Sequence, residues 1–219
     1  MLVKVCGVCR PRDAALVAAA GADYLGVILS PGFSRSQGGA EAAAIYAAAG
    51  PLARAGVFVD ATRAEMEAAV AEQGLQVLQL HGAETPALAG SLRREGLEVW
   101  KALRPGTGES LLAVVQEYAA VVDAVLLDGG RGSGTRFDWD AIADVRGRLP
   151  TGLRLVVAGG LTPENVIGAV RVLHPDAVDV SSGVESAPGQ KSPEAVRAFV
   201  AAARAVGNGR AAGPTHKES

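Results

Sequence analysis

The stretch RLVVAGGLTPENVIGAVRVL, residues 154 to 173, contains one complete architectural unit. Arg154 to Gly159 is a short β-rich run with an aliphatic middle, as a buried strand requires. Two glycines follow. Thr162-Pro163-Glu164 then carries helix-opening chemistry, with Thr as the cap and Pro in the first turn, and predicts a helix over 162–173.

The same unit recurs along the chain. Strands are predicted at LVKVC (2–6), YLGVILS (24–30), RAGVFV (54–59), QVLQLH (76–81), EVWKAL (98–103), AVLLD (124–128), RLVVAG (154–159) and AVDVSS (177–182). Helical patterns fall near 11–20, 38–49, 61–73, 85–95, 108–120, 138–147, 162–173 and 192–205. That makes eight strand–helix pairs in 219 residues with no linker-like segment between them. An open doubly wound sheet shares this alternation, but the count and length suit a closed α/β barrel, a single (β/α)8 TIM barrel. The expected catalytic domain is 1–206, followed by a flexible tail over 207–219, where GNGRAAGPTHKES is polar and aperiodic.

Composition narrows the partners. A net charge of −2 leaves no basic surplus for nucleic acid and no polybasic handle for a membrane. No apolar run approaches the roughly 18 to 20 residues of a membrane span. The start, MLVKVCGVCRPRD, carries charges where a signal peptide needs its apolar core. Two cysteines do not make a disulfide scaffold, so a cytoplasmic location is expected.

In such a barrel the chemistry sits at the C-terminal strand ends. Here those ends include Cys6-Gly7, His81-Gly82, Asp128-Gly129, Gly159-Gly160 and Ser181-Ser182-Gly183. Cys6 and Cys9 form a C-x-x-C, which raises three readings. Zinc needs about four soft or imidazole ligands, and His81, His174 and His216 are unpaired, so no metal is expected. A thioredoxin-like pair belongs to a shorter fold without eight repeats. The third reading separates the two cysteines. Lys4 and Cys6 share the inward face of the first strand, which puts Cys6 at the barrel mouth, either as a working thiol or as a small buried hydrophobe. Asp179 and Ser181 share a face of the last strand, which neighbours the first, so Lys4 and Asp179 are expected to form a buried pair beneath Cys6.

AGGLTPENV (158–166) and VDVSSGVE (178–185) follow strands 7 and 8, the pair of loops that commonly holds a phosphate in this architecture. The longer loop DGGRGSGTRFDW (128–139) reads as a lid, as a backbone cradle for the same phosphate, or as plain loop. Asp128 before it is an acid or a cap.

Taken together, VKVCG (3–7), GADYLGVIL (21–29), VLQLHG (77–82), the 126–139 segment, AGGLTPENV and VDVSSGVESAPGQKS (178–192) resemble the phosphoribosylanthranilate isomerases of tryptophan biosynthesis, in family order over nearly the whole chain. The resemblance implies an Amadori rearrangement of N-(5'-phosphoribosyl)anthranilate by acid–base catalysis, with Cys6 as base and Asp128 as acid. It implies Arg35 as the partner of the anthranilate carboxylate, although Phe33 stands where the family often has Ser. His81 and Asp179 are expected against the substrate, and Gly159, Gly160, Ser181, Ser182 and Gly183 around its phosphate. No metal and no cofactor are implied. The implied partner is a small phosphorylated aminosugar, and the chain is expected as a monomer or homodimer.

Overall fold

Side chains alternate along a strand, and that alternation divides this protein into two packing layers. A computed structural model describes residues 1–129 and 138–208. Eight parallel strands close into a barrel in chain order. They are β1 (Leu2–Val5), β2 (Tyr24–Ile28), β3 (Ala53–Phe58), β4 (Val77–Leu80), β5 (Glu98–Leu103), β6 (Ala124–Asp128), β7 (Arg154–Ala158) and β8 (Ala177–Val180). The helices around them are α1 (Pro11–Ala19), α2 (Gly39–Ala48), α3 (Arg63–Gln73), α4 (Pro86–Leu92), α5 (Gly108–Tyr118), α6 (Val145–Arg148), α7 (Val166–Leu173) and α8 (Pro193–Asn208).

Outward residues such as Val3, Val5, Leu78, Leu80 and Leu127 pack with helix residues such as Ile45, Val170 and Phe199 in one apolar layer. Inward residues form a second, smaller core, including Tyr24, Val77, Trp100, Leu126 and Val156. Its N-terminal end is plugged by aromatic rings. Tyr24 and Trp100 meet edge to face at 5.0 Å, the Trp100 indole donates to Glu98 at 2.8 Å, and Arg154 covers Trp100 at 5.8 Å. Toward the other end the inward positions become Lys4, Gln79, Asp128 and Asp179. The polarity of the interior thus runs from an aromatic floor to a charged mouth.

One device ties the strand starts. Asp23, Asp123 and Asp176 each precede a strand, and each carboxylate accepts the N–H of an earlier strand: Val3 at 2.7 Å, Val99 at 2.7 Å and Leu155 at 2.8 Å. Each is also paired with an arginine, respectively Arg204, Arg93 and Arg146. These contacts lie at the end remote from the strand C-termini, where barrels keep their stability residues.

The structure corrects three element expectations. The helix expected over 162–173 begins at Val166, because Asn165 accepts from the Thr162 N–H and donates to the Gly160 carbonyl, both at 2.8 Å, and holds 162–165 as a turn. The helix expected over 138–147 is a 3-10 turn at Asp140–Ile142 followed by the short α6; the Asp138 side chain accepts from the N–H groups of Asp140 and Ala141 and sets the turn. After β8 comes an unanticipated 3-10 turn, Ser182–Val184, and a small antiparallel hairpin of β9 (Glu185–Ala187) and β10 (Gln190–Lys191). Helix α8 extends to Asn208; the tail expectation over 209–219 and the lid expectation over 130–137 lie outside the described residues.

Two substitutions and one control test this packing. Asp176→Ala removes the Leu155 contact and the Arg146 pair, and should lower stability by about 1.5–3 kcal/mol in urea unfolding while leaving turnover at saturating substrate unchanged. Gly26 faces inward on β2, where an added Cβ would stand 2.8 Å from Cys6 Sγ and 3.0 Å from Lys4 Nζ. Gly26→Ala should therefore cost about 1–3 kcal/mol by overpacking, whereas Gly147→Ala, which meets nothing within 4 Å, should cost none.

Candidate active site

Cys6 is the first residue past β1, and its N–H continues the ladder by donating to the Val180 carbonyl at 2.8 Å. Period two then turns its side chain inward above Lys4. Lys4 is fully buried, and its ammonium lies 2.9 Å from Asp179 Oδ2. The β1–β8 register sets Lys4 directly opposite Asp179, as the alternation of the two strands requires. The other Asp179 oxygen, Oδ1, is buried with no hydrogen-bond partner among the described residues.

Charge and burial compete here. Burial pushes the Cys6 thiol above its ordinary value, and the Lys4 ammonium beside it pulls less strongly the other way. Burial works most strongly against the charge of Lys4, but Asp179 and Cys6 together outweigh it and hold the ammonium above its usual range.

Asp128 ends β6 and lies opposite Ala158 of β7. Its Oδ2 is 3.4 Å from His81 Nε2. Behind His81, the amide of buried Gln79 lies 3.0 Å from Nδ1. With that amide donating to Nδ1, the ring carries its proton on Nε2, facing Asp128. The β4 end that carries His81 is pinned from outside the barrel. Buried Lys101 donates to the carbonyls of Leu80 and Gly82, at 3.2 and 2.7 Å, and pairs with Glu84 at 2.9 Å.

Two glycines are required by close approach. Gly159 has φ 76°, and a Cβ there would collide with the Gly129 N–H and stand 2.6 Å from Asp128 Oδ1. A Cβ on Gly183 would overlap the Leu161 carbonyl, so the loops after β7 and β8 run backbone against backbone. Such loops present main-chain groups rather than side chains to whatever fills the mouth.

One pocket joins these groups. Cys6, Arg35, His81, Asp128, Gly159, Gly160, Asp179, Ser181, Ser182 and Gly183, the residues singled out from the sequence, all line it. Phe33 and Gln79 line it too. Gln79 stands two positions before His81 on the fourth strand, so the period of two turns both to the same side. The network behind Arg35 had no sequence signal: the Arg35 Nε and Nη2 donate to the two oxygens of Glu185, 150 positions away, at 2.8 and 2.6 Å. Cys9 does not join the pocket wall; its half-buried sulfur contacts the carbonyls of Gly7 and Arg35 at 3.5 and 3.7 Å.

Comparison with known proteins places this geometry. Residues 3–202 match the family model described as N-(5'phosphoribosyl)anthranilate (PRA) isomerase. The N-(5'-phosphoribosyl)anthranilate isomerase of Myxococcus xanthus is 43% identical over 211 residues, covering 93% of this chain and 96% of the relative. The phosphoribosyl anthranilate isomerase structure from Thermus thermophilus is 40% identical with a TM-score of 0.82, covering 94% of this chain and 100% of that one. A further solved isomerase, in complex with reduced 1-(o-carboxyphenylamino)-1-deoxyribulose 5-phosphate, is 33% identical with a TM-score of 0.82 over the same shares. The closed barrel, the pocket at its mouth and full-length similarity agree, and the chain belongs to the N-(5'-phosphoribosyl)anthranilate isomerase family of tryptophan biosynthesis.

Proposed function

We propose that the isomerase reaction runs between Cys6 as general base and Asp128 as general acid, with the substrate's phosphate held by the loops after β7 and β8 and its carboxylate by Arg35. The observation that carries this reading is that a thiol and a carboxyl from different strands open into one pocket. The rest of its wall includes two side-chain-poor loops, and an arginine contributes at the rim.

The rearrangement needs two proton transfers in sequence. Asp128 gives a proton to the furanose ring oxygen, the C1–O bond breaks, and the anthranilate nitrogen's lone pair forms the C1=N Schiff base. Cys6, acting as its thiolate, then takes the proton from carbon 2. The electrons of that C–H bond form the C1=C2 bond, the imine electrons return to nitrogen, and the enolamine tautomerises to the ketone. Each correctly placed acid or base supplies about 10²–10⁴ in rate. His81, with Nε2 3.4 Å from Asp128 Oδ2, positions the acid.

Ligand chemistry fits the remaining groups. Asp179 Oδ1 and Gln79 Oε1 are buried acceptors without partners among the described residues, and Asp179 and Gln79 both line the pocket. Sugar hydroxyls satisfy such acceptors, which otherwise cost free energy. Phe33 lies two residues from Arg35 on the same rim and is 39% exposed, an aromatic surface beside a cation where a benzoate ring would lie. The reduced product bound in the solved relative carries a phosphate at one end and a carboxylate at the other, and this pocket has complementary chemistry at both.

Cys6→Ser and Asp128→Asn should each lower kcat by at least about 100-fold in the fluorescence decay of freshly made phosphoribosylanthranilate, with binding of the reduced product retained. Near-normal turnover in either variant would remove that residue from the mechanism. A second test concerns the resting state. Since burial raises the Cys6 thiol, its thiolate absorbance, followed in a Cys9→Ser background, should emerge only above the ordinary thiol pKa of 9.0. Titration below that value would mean that Lys4 outweighs burial and the base is ionised before substrate arrives.

A further inference from the structure

Arg35 is the cation at the pocket rim, yet its charge is already answered. Glu185 takes the Nε–Nη2 edge of the guanidinium with both oxygens, and the Glu185 side chain is only 5% exposed. A neutral Arg–Glu pair exerts little pull on a second carboxylate. Something must restore the charge, and the hairpin after β8 supplies it. Lys191 on β10 is buried, with its Nζ 2.9 Å from Glu185 Oε1 and 3.0 Å from the Ser181 carbonyl. Neither Glu185 nor Lys191 lines the pocket; both stand behind Arg35.

We infer that Lys191, acting through Glu185, is a positioning and specificity-determining residue that keeps Arg35 oriented and the cluster one positive charge in surplus, so that the site selects a substrate bearing a carboxylate. This rests on the reading of Arg35 as the carboxylate's partner. Burial draws the Lys191 ammonium below its usual range and Glu185 beside it opposes that shift; with Arg35 and Lys191 positive and Glu185 negative, a ligand carboxylate completes two ion pairs. Geometry assigns the edges. With Nε and Nη2 on Glu185, the guanidinium turns its remaining Nη1 toward Ser34 Oγ, 3.4 Å away on the pocket wall, which leaves that edge to share with a ligand.

The frame behind the arginine is built to hold it. A Cβ on Gly7 would stand 2.8 Å from Arg35 Cδ, so glycine there admits the arginine stem. The Lys191 N–H donates to buried Asp13 on α1 at 3.2 Å, and Arg10 grips the same carboxylate at 2.9 and 3.0 Å. The hairpin is thereby anchored to the barrel's first helix, and its two strands carry the two charges.

The test compares two ligands by calorimetry: reduced 1-(o-carboxyphenylamino)-1-deoxyribulose 5-phosphate and its phenylamino counterpart lacking the carboxylate. Lys191→Met should weaken the carboxylate-bearing ligand by at least roughly tenfold and the other by less than about twofold, and Lys191→Arg should restore the preference. Equal weakening of both ligands by Lys191→Met, or no weakening of either, would overturn the inference and leave Lys191 as a brace for the hairpin. Should Lys191→Met fail to fold, Lys191→Arg decides alone, because loss of the preference with the charge retained would contradict it. Arg35→Met separates the two levels. If it leaves the preference intact, the reading of Arg35 fails; if it abolishes the preference while Lys191→Met does not, only the role of Lys191 fails.

Discussion

The contact on which the rest of this site depends is the buried ion pair between Lys4 and Asp179, 2.9 Å apart where the first and last strands meet. Closing a barrel brings together residues 175 positions apart, and the register of that seam decides what faces what. A slip of one residue in either strand would turn its charge out into the apolar layer beneath the helices and leave the other unpaired inside the barrel. Placed as they are, they sit under Cys6, and Gly26 on the adjoining strand leaves the space that Lys4 and the thiol fill. Breaking such a pair leaves an uncompensated buried charge, which costs about 3–5 kcal/mol, so the seam's register and the environment of the thiol are fixed together.

From that seam the interior divides by chemistry. The floor is aromatic and closed by Tyr24, Trp100, Glu98 and Arg154, with the Asp–Arg ties of the strand starts around it. The mouth gathers thiol, carboxyl, imidazole and amide on rigid strand ends, while the walls after β7 and β8 are loops thinned to glycine where the backbone must come close. Stability and chemistry therefore occupy opposite ends of one sheet, which lets the loops specialise without disturbing the core.

Much of this was legible in the chain. Eight alternations predicted the barrel, and period two correctly put Lys4 against Asp179. The glycine pair after strand 7 and Ser-Ser-Gly after strand 8 marked the loops that meet at Gly183 and Leu161. What stayed hidden has common physical causes. Thr162-Pro163-Glu164 looked like a helix start, but Asn165 offers its side chain to the local backbone and delays the helix to Val166. The hairpin at 185–191 is too short for a periodicity to declare itself, and the Glu185–Arg35 pair joins segments that only the closed fold brings together.

The central claim is that Cys6 receives the proton leaving carbon 2 of the sugar. Its most direct measurement is the isotope effect on single turnover of substrate deuterated at that carbon, in the wild-type protein and in Cys6→Ser. A weakened base makes this transfer the slow step, so the account predicts a larger isotope effect in the variant. An isotope effect unchanged by the substitution would mean that another group takes the proton, and the thiol at the barrel mouth would have a different task.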